Sequence, residues 1–203
     1  MNSFIVTGTD TDLGKSVVAA MYTLGLGMNY YKPIQSGTED ETDRQAIKRM
    51  TGLGDDRVLD DGVVLSQPLS PHRSAELDNV EINVESIAPN REGLVVEGAG
   101  GLMVPVNRQT LYIDVFAEWK LPVVLASRTG LGTINHTLLS LEAMRKRGIK
   151  ILGVAFVGDD NPDNIRTISE MGDVKVLGRV PMMDSINAET LSQVFSDNFG
   201  GSL

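Results

Sequence analysis

The chain has 203 residues, with 27 Asp plus Glu against 18 Lys plus Arg, two His and no Cys, for a formal net charge of −9. That length points to one domain, large enough to bury a core without disulfide or metal staples. The lack of cysteine excludes a zinc ribbon, a cysteine nucleophile and a disulfide framework. The acidic balance argues against nucleic acid as a partner, because backbone phosphates demand a basic field. Apolar runs are only a few residues long and Met1–Val6 enters a strand-like stretch with no basic leader, so a soluble cytoplasmic protein without a membrane partner is expected.

In chain order, Ser3–Thr7 reads as a short apolar strand that ends at Gly8. After the loop Gly8–Gly14, the stretch Lys15–Leu26 places Val18, Met21, Tyr22 and Leu26 on roughly one helical side. A strand is predicted at Asn29–Tyr31 and a helix at Asp43–Thr51. Gly52–Glu92 has poor periodicity and carries Pro68, Pro71 and Pro89, three of the eight prolines, so it reads as an irregular excursion with one short helix and not as a second domain. Strands at Leu94–Val96, Val123–Ala126, Leu152–Val157 and Val174–Leu177 then alternate with helices at Ile113–Trp119, Ile134–Arg147, Asp163–Met171 and Ala188–Phe195. In Ile134–Arg147 the apolar Ile134, Leu138, Leu141 and Met144 step by four, three and three, and Arg145, Lys146 and Arg147 sit where the helix dipole favours cations. This alternation predicts a single α/β domain over 1–199, a mainly parallel sheet with helices on both faces, and a disordered tail at 200–203.

Gly8-Thr9-Asp10-Thr11-Asp12-Leu13-Gly14-Lys15-Ser16 follows a strand and opens a helix, which is the setting of a phosphate-binding P-loop. Glycines let backbone N–H groups face phosphates, Lys15 adds a point charge, and the Ser16 hydroxyl is a magnesium ligand by type. Five residues separate the two glycines where the usual spelling has four. Leu94–Gly101 delivers one carboxylate, Glu97, at the C-terminal end of a buried strand, followed by Gly98, Ala99 and Gly100, small enough for a ligand to approach the backbone. In open α/β sheets that edge is where ligands bind. Lys32-Pro33-Ile34-Gln35-Ser36-Gly37 brings a second cation and a hydroxyl to the same edge, where both lysines are expected to face water. Asp43 at a helix start has a plain alternative role as a dipole partner.

Gly8–Ser16, Lys32–Gly37, Pro68-Leu69-Ser70-Pro71-His72, Glu97–Gly101 and Leu131-Gly132-Thr133-Ile134-Asn135-His136, in that order, resemble the dethiobiotin synthetase family over most of the chain, including the five-residue loop spacing. The resemblance implies an ATP-dependent cyclo-ligase of biotin synthesis that joins 7,8-diaminononanoate and CO2 or bicarbonate into dethiobiotin, with magnesium as cofactor. By matching positions, Lys15 and Lys32 are catalytic, and Thr11 and Ser36 hold the reacting end of the substrate. Ser16, Asp43 and Glu97 hold the metal. The nucleotide lies on Asp12, Leu13, Gly14, Lys15, Ser16 and Val17, with Asp43, Glu97, Gly98, Ala99 and Gly100. Its base lies by Val157, Pro181, Met182 and Met183. The family's shared site implies a homodimer in which Gly132, Thr133 and Asn135 of the neighbour receive the far carboxylate of the substrate, and a helix start with free N–H groups suits an anion. Many members place an asparagine where Val157 stands here, so nucleoside triphosphates other than ATP are expected to serve as well.

Two other readings compete with this one. A cobyrinate-type amidating ligase requires a glutaminase domain with a cysteine, and this chain has neither the length nor the cysteine. A partition or septum-placement ATPase switch carries an extra lysine early in the loop, where Thr9, Asp10, Thr11 and Asp12 stand here. His72 and His136 have no serine and carboxylate arrangement beside them and read as structural.

Overall fold

The computed structural model describes residues 2–202. Strand β1 (Phe4–Gly8) is buried along its whole length, as a strand covered by helices on both faces must be. It lies inside a six-stranded, all-parallel sheet of order β2-β5-β1-β6-β7-β8, where β2 is Asn29–Tyr31, β5 Leu94–Gly101, β6 Val123–Arg128, β7 Ile151–Val157 and β8 Val176–Val180. Side chains alternate between the faces. Phe4, Val6, Val95, Val124, Ala126 and Ala155 join one core, and Ile5, Val96, Val123, Leu125, Val154 and Phe156 join the other. Helices α1 (Lys15–Gly25), α2 (Asp43–Thr51) and α7 (Ala188–Val194) cover the first face. Helices α3 (Pro71–Asp78), α4 (Tyr112–Trp119), α5 (Thr133–Lys146) and α6 (Pro162–Met171) contribute to the second. The chain leaves β1 toward β5 and β2 on one side and reaches β6, β7 and β8 on the other, so the order switches at the C-terminal end of β1, where open α/β sheets bind ligands.

Local sequence explains the ends of the helices nearest that edge. α1 starts after Gly14 at φ 93°, a left-handed conformation that side chains resist, and it has no side-chain cap, so its first N–H groups stay free. α2 has a full capping box, with the Thr42 hydroxyl accepting from Gln45 N–H and the Gln45 side chain accepting from Thr42 N–H; it stops at left-handed Gly52. At the far end of α1, Tyr22 meets Phe4, Phe195 and Phe199 edge to face at 5.5, 6.1 and 5.7 Å. Gly25 is needed there, because a Cβ at that position would come within 2.3 Å of the Phe195 ring.

Several expected boundaries move. Gly52–Glu92 contains the expected short helix, α3, but also strand β4 (Val63–Leu65), which pairs in parallel with β3 (Ile34–Ser36) as a separate small sheet. β3 and β4, three residues each in glycine- and proline-bearing surroundings, carry too little periodicity to be read, and their pairing defines them. β5 runs on to Gly101, which pairs with Gly8 of β1 after a register shift that follows the Val6–Glu97 pair. β8 lies two to three residues later than the Val174–Leu177 reading, and α7 continues into a π-helical turn, Phe195–Phe199. At the expected tail, Gly200–Gly201 form a turn with Ser202 N–H donating to Phe199 O, and Lys175 Nζ donates to Ser202 O at 2.6 Å; Leu203 lies outside the described residues.

Candidate active site

The glycine loop is anchored by Leu13, buried in the α1-side core, and turns at Asp12 with φ 50°. Thr11 is exposed, and its N–H donates to Asp10 Oδ1 at 2.8 Å. Lys15 does not stand in solvent: it is 8% exposed, and its ammonium donates back to Asp10 O at 2.7 Å. Burial lowers its pKa, opposed by Glu97 and reinforced by the charge of Lys32. Gly14, Lys15, Ser16 and Val17 present their backbone at the uncapped head of α1, an anion-binding arrangement.

Behind the loop lies one connected polar network. Ser16 Oγ is 2.9 Å from Glu97 Oε1 and 3.1 Å from Asp43 Oδ1. The Lys32 ammonium pairs with Asp43 Oδ2 at 2.5 Å and Glu97 Oε1 at 3.1 Å, and donates to Gly98 O at 3.0 Å. Its three donors are thus all engaged, and Lys32 is 3% exposed, so the expectation that it faces water is corrected. Burial works against the Lys32 charge, but Glu97 and Asp43 outweigh it and hold the group above the ordinary lysine value. Burial pushes Glu97 up, moderated by Lys32, while Lys32 and Ser16 overcome partial burial to hold Asp43 below its ordinary value. Asp43 does stand in the first turn of α2, and it also reaches Lys32 and Ser16.

Two members of this network were missed in the sequence. Tyr30, fully buried on β2, donates its hydroxyl to Glu97 Oε2 at 2.8 Å. Gln35 accepts from Asp43 N–H at 3.1 Å and donates to Gly37 O at 3.0 Å, tying β3 to the head of α2. A tyrosine in a strand reads as core, and no local signal marks its hydroxyl. Ser36 directly precedes Gly37, against which Pro68 packs, and its buried hydroxyl has no partner among the described residues, a polar atom placed for a ligand.

The remaining expected residues occupy the same sheet edge or lie beyond it. Ala99 and Gly100 continue β5 past Glu97 and Gly98. Val157 ends β7 against the loop, so that a Cβ on Gly14 would lie 2.9 Å from its Cγ1. Pro181, exposed Met182 and partly buried Met183 follow β8. Gly132 precedes α5, which has no side-chain cap, and Asn135 is exposed on its first turn. The Thr133 hydroxyl is buried and bonded to Ser127 Oγ at 2.9 Å and Arg128 O at 2.5 Å, so Thr133 offers a ligand its backbone and not its hydroxyl. His136 is exposed in the same turn, while the His72 ring bonds Ser70 Oγ at 3.0 Å. Beside Thr9, Asp10 and Thr11 a groove of about 810 Å³ runs between Gly101–Pro105 and α5, lined by Leu102, Met103, Val104 and Leu139.

Among the described residues no three His, Asp or Glu side chains gather as a metal site. Ser16, Asp43 and Glu97 supply a hydroxyl and two carboxylates, hard oxygen donors that fit magnesium, which usually takes one or two carboxylates and fills its shell with water and phosphate oxygens.

A parallel sheet with an uncapped helix head, a glycine loop and a buried lysine at its switch point defines a P-loop nucleotide-binding α/β protein. The solved structures it resembles are of that kind: a ParA family ATPase from Chlorobium tepidum TLS, with TM-score 0.61 and 11% identity over 95% of this chain and 96% of that one, and the cell division ATPase MinD of Pyrococcus furiosus, with TM-score 0.56 and 12% identity over 97% and 98%. At such identities the likeness is one of fold. A family model described as an AAA domain matches residues 2–190. ATP-dependent dethiobiotin synthetase BioD of Rhodopseudomonas palustris (strain HaA2) is 53% identical over 197 residues, 96% of this chain and 92% of that protein. The synthetase of the same name from Novosphingobium aromaticivorans is 51% identical over 200 residues, 98% and 97% of the two chains. The chain belongs to the AAA domain family of that model and, along nearly its whole length, to the dethiobiotin synthetase family.

Proposed function

We propose that this chain is an ATP-dependent dethiobiotin synthetase that converts 7,8-diaminononanoate, CO2 and ATP into dethiobiotin, ADP and phosphate. The observation that carries the site assignment is the buried network of Ser16, Lys32, Asp43 and Glu97 directly beneath the uncapped head of α1. In this reading one amine of the substrate captures CO2 as a carbamate, a carbamate oxygen attacks the γ-phosphorus, and the second amine closes the ring and expels phosphate.

The chain's own groups divide that work. Backbone N–H groups from Asp12 to Val17 hold the phosphates, and the buried position of Lys15 beside the loop lets its charge stabilise the transferring phosphoryl and the carbamate. Lys32 reaches the carbamate by exchanging one of its present acceptors. Thr11 and the unpartnered Ser36 hydroxyl orient the reacting end. Ser16, Asp43 and Glu97 hold magnesium, which when bound neutralises phosphate charge. The apolar groove along Leu102, Met103, Val104 and Leu139 suits the aliphatic chain of the substrate. Its far carboxylate goes to Gly132, Thr133 and Asn135 of a second copy, in a homodimer. A cytoplasmic location accompanies this reading; among the described residues no helix is long and apolar enough to cross a membrane.

A partition-type or septum-placement switch shares the fold, but Thr9–Asp12 holds no lysine and the net charge of −9 disfavours DNA and acidic lipid. Nucleotide turnover in the presence and absence of diaminononanoate, bicarbonate, DNA and lipid vesicles tests the choice. Turnover that requires diaminononanoate and bicarbonate and yields dethiobiotin is expected; turnover driven by DNA or vesicles alone overturns the synthetase reading.

A further inference from the structure

Tyr30 sits in the middle of β2 with its ring fully buried. Its backbone is fixed on both edges: Tyr30 N–H donates to Arg57 O at 2.9 Å, Leu59 N–H donates to Tyr30 O at 3.0 Å, and the residue stands in register with Val95 of β5. Val95 and Glu97 share one face of β5, so the phenol leans two residues along its neighbour and its hydroxyl donates to Glu97 Oε2 at 2.8 Å. The two oxygens of Glu97 are therefore unequal. Oε2 belongs to Tyr30, while Oε1 lies 2.9 Å from Ser16 Oγ and 3.1 Å from Lys32 Nζ.

We propose that Tyr30 is a positioning residue that makes Glu97 a one-oxygen ligand, holding Oε2 back in the sheet and presenting Oε1 beside Ser16. Packing leaves the ring no room to swing away. Magnesium is small, demands near-octahedral geometry and keeps several waters, so a carboxylate restricted to one oxygen suits it better than one free to chelate with both. Hydrogen bonds behind a metal ligand typically control about 10- to 100-fold in metal affinity. The inference rests on the magnesium reading of Ser16, Asp43 and Glu97.

The test is calorimetric binding of the β,γ-methylene analogue of ATP, with magnesium and with EDTA, to the wild-type chain and to Tyr30→Phe, which keeps the ring and removes the hydroxyl. Tyr30→Phe is expected to lose about tenfold of the magnesium-dependent gain in affinity while its affinity in EDTA stays unchanged. In a Glu97→Gln background the same change is expected to alter that gain by less than about twofold. A gain that survives in Tyr30→Phe, an equal loss with and without magnesium, or an undiminished effect in the Glu97→Gln background overturns the role of Tyr30 alone. A wild-type chain indifferent to magnesium overturns the magnesium reading, and the role of Tyr30 with it. Infrared difference spectra of the magnesium-loaded wild-type chain, assigned by subtraction of Glu97→Gln, need no Tyr30 variant. The wide splitting of the two carboxylate stretches that marks one-oxygen ligation is expected, and a narrow bidentate splitting overturns the proposal.

Discussion

Lys32 makes three polar contacts and is 3% exposed, and its two ionic partners do not tolerate its loss equally. Asp43 is one-third exposed and can turn to water, whereas Glu97 is 1% exposed and cannot. Lys32→Met is therefore expected to cost about 3 kcal/mol or more of stability, the usual penalty for stranding a buried charge, in addition to reducing dethiobiotin formation by about 100-fold. Urea unfolding and product formation, measured together, check both. Among the described residues Lys15 has no ion-pair partner and donates to the Asp10 carbonyl, so Lys15→Ala should match that loss of product while its urea midpoint stays near wild type. Near-normal product from either variant removes that lysine from the site. Asp61 gives a pH signature: one of its oxygens is buried without a partner, and burial, opposed by Arg44 and Lys32, raises its pKa from 3.8 to about 6. Between those values the folded chain binds more protons than the unfolded one, so stability falls as pH rises through that window. Asp61→Asn should flatten this segment and gain about 1 kcal/mol at pH 7, after allowing for partial solvent screening. An unchanged pH dependence of the unfolding midpoint would show that Asp61 titrates normally.

At the scale of elements, the expected α1 and α2 regions and the strand at Asn29–Tyr31 were legible because glycines, caps and apolar runs are local. The β3–β4 pair was not legible, since it exists only through the register Ile34↔Val63 across an irregular segment. The ends of β7 and β8 carry the base prediction. Val157 offers no hydrogen-bonding side chain, and its methyl groups lie against Gly14 of the loop. Met182 and Met183 are pliable. Apolar contacts discriminate by about 10- to 200-fold, whereas a hydrogen-bonding site reaches several powers of ten. CTP, GTP and UTP are thus expected to support dethiobiotin formation within about 100-fold of ATP, in assays at matched magnesium. A preference for ATP above about a thousandfold would show that backbone groups alone read the adenine.

For the whole molecule, the proposed second copy is what completes the site. The start of α5 exposes Leu131, Gly132 and Asn135, and the apolar groove along α5 is open. Sedimentation is expected to give a dimer. Mixing a Lys15→Ala chain with an Asn135→Trp chain should restore one working site per mixed dimer. Mixed dimers that form without recovering activity would defeat the shared site. The sequence by itself determined the order of the helices and of the six strands of the main sheet, and the glycine loop, because glycine spacing and apolar periodicity are properties of short segments. Only the tertiary structure decided that Lys15 and Lys32 are buried, that Tyr30 and Gln35 hydrogen-bond to Glu97 and Asp43, and that the Thr133 hydroxyl bonds inside the chain. Burial and hydrogen bonding join residues 67 positions apart, as between Tyr30 and Glu97, and 81 apart, as between Ser16 and Glu97, and a separation in sequence holds no record of a distance in space until the sheet has paired.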